Sequence, residues 1–289
     1  MRRRREAAGW ALRLVSERPE LWLPGALAWT VSVGWIPFVV AVGQPPSVAE
    51  LTFLGARIVT SGAWPLNAFL IGAAFVALLL LAFAIAAAAS AVLIALVGRR
   101  AASLADVGRI LAVNLVAALP AAIAALAVLI ASIGVAPREF NAPEPAGGPV
   151  LRTIVALAPY LLLLGAAAAA GAAFAAVAGR LAVGRRSSLA RALLSAPRTM
   201  VRPRAATHAI LSFVTQLAYL GFGALLLRVL WAPIGAQLEV VREIDVPSGL
   251  LLVGFVAIWL CLVLAGGALQ AWSAATWSRL LATDESGGT

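Results

Sequence analysis

The sequence predicts an all-α fold: a polytopic membrane protein built as a six-transmembrane-helix bundle with short interfacial helices. Three observations carry this prediction. The chain of 289 residues is 63% hydrophobic and 12% charged, with a mean hydropathy of +0.99, whereas a soluble domain carries roughly a quarter charged residues to wet its surface. So large an apolar excess cannot be buried inside one globule of this length, and most of it must face lipid or other lipid-facing helices. Next, apolar stretches long enough to cross about 30 Å of hydrocarbon lie near 20–43, 66–97, 110–136, 151–178, 205–232 and 247–273. Finally, nearly all arginines lie between these stretches or close to their ends.

Taken in order, residues 1–19 form a basic leader ahead of the spans. Its MRRRR start, with Ala41-Val42-Gly43 downstream, invites a signal-peptide reading. The apolar run is longer than a signal-peptide core and begins well after the arginines, so a retained first helix is favoured. Within the leader, Ala7, Trp10, Ala11 and Leu14 fall on one helical face and Arg13, Glu17 and Arg18 elsewhere, the layout of a helix lying in the membrane interface. A frayed basic segment is the alternative; in either case Pro19 should end the segment before the first span.

Residues 47–62 repeat apolar side chains at Val48, Leu51, Leu54 and Ile58, which predicts a short amphipathic or re-entrant segment on the outer side. The second stretch, 66–97, is too long for a perpendicular crossing and should tilt. The remaining outer loops are too short to be domains, and 274–289 reads as a short tail.

Orientation follows from the arginines. Of the 22 basic residues, all Arg, 17 lie in 1–19, 98–109, 179–204 and 274–289, and basic loops stay on the cytoplasmic side during insertion. The expectation is therefore N-in and C-in. The net charge of +10 and pI near 11.6 do not indicate nucleic acid, because a duplex-binding protein gathers its arginines on one continuous face.

An internal echo joins two of the basic loops. Val97-Gly98-Arg99-Arg100 followed by Ser103-Leu104-Ala105 recurs as Val183-Gly184-Arg185-Arg186 followed by Ser188-Leu189-Ala190. It is either a repeated hairpin or chance in an Arg/Ala/Leu-rich chain. Arginines at cytoplasmic helix ends suit both the negative end of the helix dipole and an anionic lipid surface. Arg99, Arg100, Arg185, Arg186, Arg202 and Arg204 are thus candidate contacts to anionic lipid or to a protein partner. Ser103 with Asp106, and Ser187 or Ser188, can cap short helices in both inner loops.

At Gly98 to Arg109 and Gly184 to Arg204 the chain resembles a loose set of uncharacterised bacterial six-helix membrane proteins, similar to the membrane domain attached to some glycerophosphodiester phosphodiesterases. The resemblance implies a six-span protein of the bacterial cytoplasmic membrane. The sequence holds no phosphodiesterase domain, so it implies no such activity.

Polar groups inside hydrocarbon are costly and often mark a path or a site. His208, Ser212, Thr215 and Tyr219 recur at helical spacing on the fifth stretch, with Gln216 beside them. By depth, Asn114 on the third and Gln270 on the sixth could join them. Asn114, His208, Ser212, Gln216 and Tyr219 are the candidate intramembrane polar cluster, read either as a cytoplasm-facing pocket or as interhelical hydrogen bonding, with Asn114 the expected partner.

Ala167, Gly171, Ala175 and Gly179 recur every four residues on the fourth stretch and allow close helix packing. Pro24, Pro37, Pro120 and Pro159 are candidate kinks. Arg228, near the outer end of the fifth stretch, can snorkel to headgroups beside Trp231.

A single Cys261 and a single His208 exclude disulfides within the chain and sites needing paired imidazoles or thiolates. No catalytic, metal or cofactor motif is present. The expected function is a non-enzymatic scaffold, accessory subunit or lipid-interacting component, with a transporter or permease subunit working with a separate cytoplasmic ATPase as the alternative.

Overall fold

The computed structural model describes residues 2–43, 53, 57, 60–141, 149–184, 187–240 and 246–283. Most of the amphipathic segment expected at 47–62, and Arg185 and Arg186, lie outside the described residues. Every regular element among the described residues is helical. Six helices are long and apolar enough to cross a membrane: Pro19–Val42, Leu66–Val97, Leu104–Glu139, Leu151–Gly184, Pro203–Leu238 and Gly249–Ala282, the first to sixth spans below. The chain is an all-α polytopic membrane protein.

Two expectations about the span ends need correction. The third span starts at Leu104, not near 110. Ser103-Leu104-Ala105 therefore opens the span itself, with Asp106 in its first turn where a carboxylate suits the helix N-terminus. No separate interfacial helix intervenes there, because nothing between Leu104 and Pro120 breaks the helical run. The second echo does hold one: the inner helix Leu189–Met200 begins at Ser188, whose side chain accepts a hydrogen bond from the Arg191 backbone N–H. It stops before Pro203, where the fifth span begins. The sixth helix, Val246–Thr283, runs unbroken through most of the expected tail.

The chain divides into two compact units. The first comprises 1–103 and 210–289. Its leader helix Arg2–Glu17 buries Ala7, Ala11, Leu14 and Val15. Ala11, Leu14 and Val15 form one apolar cluster with Leu21, Leu93, Ala271, Ala274 and Ala275. The face expected to lie on lipid is thus largely covered by protein. Polar bonds add to this: Trp272 Nε1 donates to the Ala8 carbonyl at 3.1 Å, Trp22 Nε1 to that of Val15 at 2.9 Å, and Arg279 stacks over the Trp10 ring at 5.4 Å.

The first span is helical over Trp22–Trp29 and Trp35–Val42, joined by a wider π turn over Thr30–Gly34. Pro37, which has no N–H to give, follows that turn closely. This span meets the sixth at backbone distance. A Cβ on Gly25 would overlap the Gly267 carbonyl, and one on Gly267 would overlap the backbone of Ala26. Trp29, 2% exposed, fills the space left by Gly34 and Gly266, where any side chain would strike its ring. At the far end Ala41, Leu227, Ile234, Phe255 and Leu262 form a second cluster, with Phe38, Trp231 and Trp259 packed on it.

The second unit, 104–209, holds the third and fourth spans, the inner helix and the start of the fifth span. A Cβ on Gly171 would overlap the Ala117 carbonyl, so the small-residue face of the fourth span meets the third directly. Arg152 pairs with Glu139 at 3.2 Å across the link between these two spans.

Helix ends are closed by designated donors. The second span ends with Arg100 N–H on the Ala95 carbonyl at 2.9 Å and Arg99 in the left-handed region at φ 53, an end geometry that usually uses glycine. The fourth span ends in a π turn, Arg180–Gly184. There Ser187 donates to Leu181 at 2.7 Å and Arg109 to Ala182 at 3.2 Å.

The close approaches predict a graded outcome for glycine substitution. Gly267→Ala and Gly171→Ala should each lower thermal stability in detergent, by about 1–3 kcal/mol where the backbone cannot move apart. Gly72→Ala, with nothing within 4 Å of its Cβ, should leave it unchanged. Equal melting curves for all three would refute the close packing.

Candidate functional site

The fifth span carries its polar side chains along one face because 208, 212, 215 and 219 are spaced by three and four residues. His208 is 1% exposed and Ser212 9% exposed, while Gln216 and Tyr219 are half-buried. Within the first unit Ser212, Gln216 and Tyr219 bond the sixth span in three successive layers. Ser212 Oγ and Ser273 Oγ lie 2.9 Å apart, Gln216 Nε2 donates to Gln270 Oε1 at 3.1 Å, and Tyr219 Oη donates to the Leu262 carbonyl at 2.7 Å. Such pairing is the usual way to carry polar atoms through hydrocarbon.

Gln270 was legible as a member of this set, but Ser273 and the Leu262 carbonyl were not. Ser273 is the last residue of the sixth stretch as read from sequence and was not picked out there, and a backbone acceptor leaves no trace in sequence. Asn114 is half-buried in the second unit. Ser212, Gln216 and Tyr219, in the first unit, bond the sixth span.

Deeper along the same region, the Tyr219 ring meets the edge of Trp29 at 5.7 Å. Trp29 Nε1, Thr30 Oγ1 and Trp259 Nε1 are buried without a hydrogen-bond partner among the described residues. Unspent polar atoms are uncommon in packed interiors, and two of these three stand at the start of the π turn. The tryptophan slot itself was missed from sequence. Its signal was the pair Gly266-Gly267 opposite Gly25, outweighed by the longer small-residue run on the fourth span.

In that run Gly171 and Gly179 are buried and Ala167 and Ala175 half-buried. Of the basic residues singled out, Arg99, Arg202 and Arg204 are exposed and Arg100 half-buried. Two arginines not singled out reach back onto helix backbone. Arg18 donates to the Leu96 carbonyl at 3.0 Å, and the buried Arg180 donates to that of Ala176 at 2.5 Å. Both add a donor at a carbonyl near a helix end, where backbone partners run short; the Leu96 carbonyl also accepts the Arg99 N–H at 3.0 Å. Arg228 donates to the Ala41 carbonyl at 3.1 Å, serving the end of the first span in the same way.

This arrangement joins helices. Among the described residues no three His, Cys, Asp or Glu side chains gather as a metal site.

Removing one member of the serine pair strands the other, whereas removing both strands neither. Ser273→Ala should therefore lower stability by about 0.5–2 kcal/mol. The double change Ser212→Ala with Ser273→Ala should cost less than the sum of the singles in a thermal-shift cycle. Strict additivity would show that the two hydroxyls do not interact.

In comparison with known proteins, no family model, no curated protein and no solved structure matches this chain.

Proposed function

We propose that this chain is a non-enzymatic component of the bacterial cytoplasmic membrane, a scaffold, accessory subunit or lipid-interacting protein that works through its arginine-rich inner face. The observation that carries this reading is the direct bonding of Ser212 to Ser273, Gln216 to Gln270 and Tyr219 to Leu262. Polar side chains engaged with each other hold helices together; those that serve a cargo path face water or the cargo. The exposed arginines at 99, 202 and 204 leave the inner surface as the place where recognition occurs, through anionic headgroups or a protein partner. The likeness to the membrane domain of some phosphodiesterases concerns the membrane part alone, and no phosphodiesterase activity is proposed.

The reading takes both ends to be cytoplasmic, in keeping with the arginine distribution. In a Cys261→Ser background, Ser103→Cys and Ala282→Cys should be shielded from an impermeant thiol reagent in intact cells, and Ala63→Cys should be labelled. The reverse pattern would overturn the orientation.

Gentle-detergent purification followed by mass spectrometry of bound lipids and proteins tests the function. Enrichment of anionic phospholipid or of a membrane or cytoplasmic protein without ATPase activity is expected. Stoichiometric recovery of an ATPase would replace this reading with that of a permease subunit.

A further inference from the structure

We propose that the inner helix Leu189–Met200 is an anionic-lipid docking element, its outer side seated in the headgroup layer of the membrane that the chain spans. The proposal deepens the reading above by naming one surface and one class of ligand, the phosphate of an anionic phospholipid.

The helix is tied to the end of the fourth span and, through Val201 and Arg202, to the start of the fifth. A segment held between two membrane crossings lies at the level of the headgroups. Its inward face is made of Ala192 and Ala196, each 0% exposed. Its outward face has two neighbouring stripes. Ala190, Leu194, Pro197 and Val201 follow i, i+4, i+7 and i+11, and Leu194 and Val201 are 77% and 80% exposed. One position further on, Arg191, Ser195, Arg198 and Arg202 repeat the same spacing, and all three arginines are exposed.

The hydroxyls on this helix are turned onto its own backbone. Ser195 Oγ donates to the Arg191 carbonyl at 2.7 Å and Thr199 Oγ1 to that of Ser195 at 3.1 Å. The outer side therefore offers an apolar ridge flanked by guanidinium groups.

An apolar ridge beside a row of cations fits an anionic bilayer surface, with leucine and valine entering the acyl boundary and arginines reaching phosphates. A soluble acidic protein would match the charge, but it would have to cover the ridge at the depth where lipid already lies. The leader helix differs: its arginine-rich sequence surrounds an apolar face already packed on the sixth span and on Leu93.

The test uses the full chain with Cys261→Ser and Leu194→Cys carrying an environment-sensitive NBD label, in nanodiscs of phosphatidylethanolamine with rising phosphatidylglycerol. Val201→Cys reports on the same ridge if the first variant does not fold. The label should shift to the blue and become quenched by spin-labelled lipid as phosphatidylglycerol increases. Each of Arg191→Gln, Arg198→Gln and Arg202→Gln should raise the phosphatidylglycerol needed for half the shift about fivefold, the factor for one surface arginine. A label quenched by aqueous iodide at every composition, or protected only when a soluble protein is added, overturns the proposal.

Mass spectrometry of lipids bound to the same preparations separates the two levels of the argument. If the parent protein and the triple arginine variant retain phosphatidylglycerol equally, the inner helix is not the site while the lipid-interacting reading stands. If neither retains lipid or protein partners, the broader reading fails as well.

Discussion

Hydrocarbon can neither give nor accept a hydrogen bond, and each unsatisfied polar group placed in it costs several kcal/mol. That constraint makes every described regular element a helix and then governs what happens where helices end or carry polar side chains. In the body of the first unit, Ser212, Gln216 and Tyr219 meet acceptors and donors on the sixth span. At helix ends, carbonyls of Leu96, Ala182, Ala176 and Ala41 accept side-chain hydrogen bonds from Arg18, Arg109, Arg180 and Arg228. Arginine thus occurs in two settings in one chain: some, such as Arg18 and Arg180, bond helix carbonyls, and others, such as Arg99, Arg202 and Arg204, are exposed.

Hydropathy made the spans legible because about 20 consecutive apolar residues have few other uses. The finer boundaries were less legible. Leu104 to Arg109 carries enough charge to look like a loop, but a helix interior tolerates Asp106 and Arg109 when one is buried at its start and the other reaches the Ala182 carbonyl. The polar face of the fifth span followed from spacing alone. Its partners did not, because depth in the membrane says how far along a helix a residue lies and not which neighbouring helix it meets. Gly171 was found through its small-residue period, whereas Gly25 and Gly267 have no period and are recognisable only as a facing pair.

The two echoed inner turns show how similar sequences diverge in structure. After Val97-Gly98 the chain turns through Arg99 and starts the third span at Leu104. After Val183-Gly184 it forms a separate amphipathic helix before the fifth span. In the second case the inner helix contains Pro197 and ends at Met200, and Pro203 opens the fifth span as its first residue. In the first case the helix that starts at Leu104 runs on through Pro120 and Pro137 to Asn141.

The leader helix docks on the sixth span, with Trp272 bonded to a carbonyl 264 positions earlier in the chain. That contact sets an order of assembly. At translation rates of about 5–20 residues per second, the leader and the first span wait on the order of ten to fifty seconds before their partner is made. During that interval Trp29 and Gly25 have no sixth span to pack against, while the third and fourth spans, adjacent in sequence, can already pair. The first unit thus closes only once the sixth span has been made, and a chain truncated before that span would display an unfilled tryptophan and an uncovered leader, features that mark an unfinished protein to quality-control machinery in the membrane.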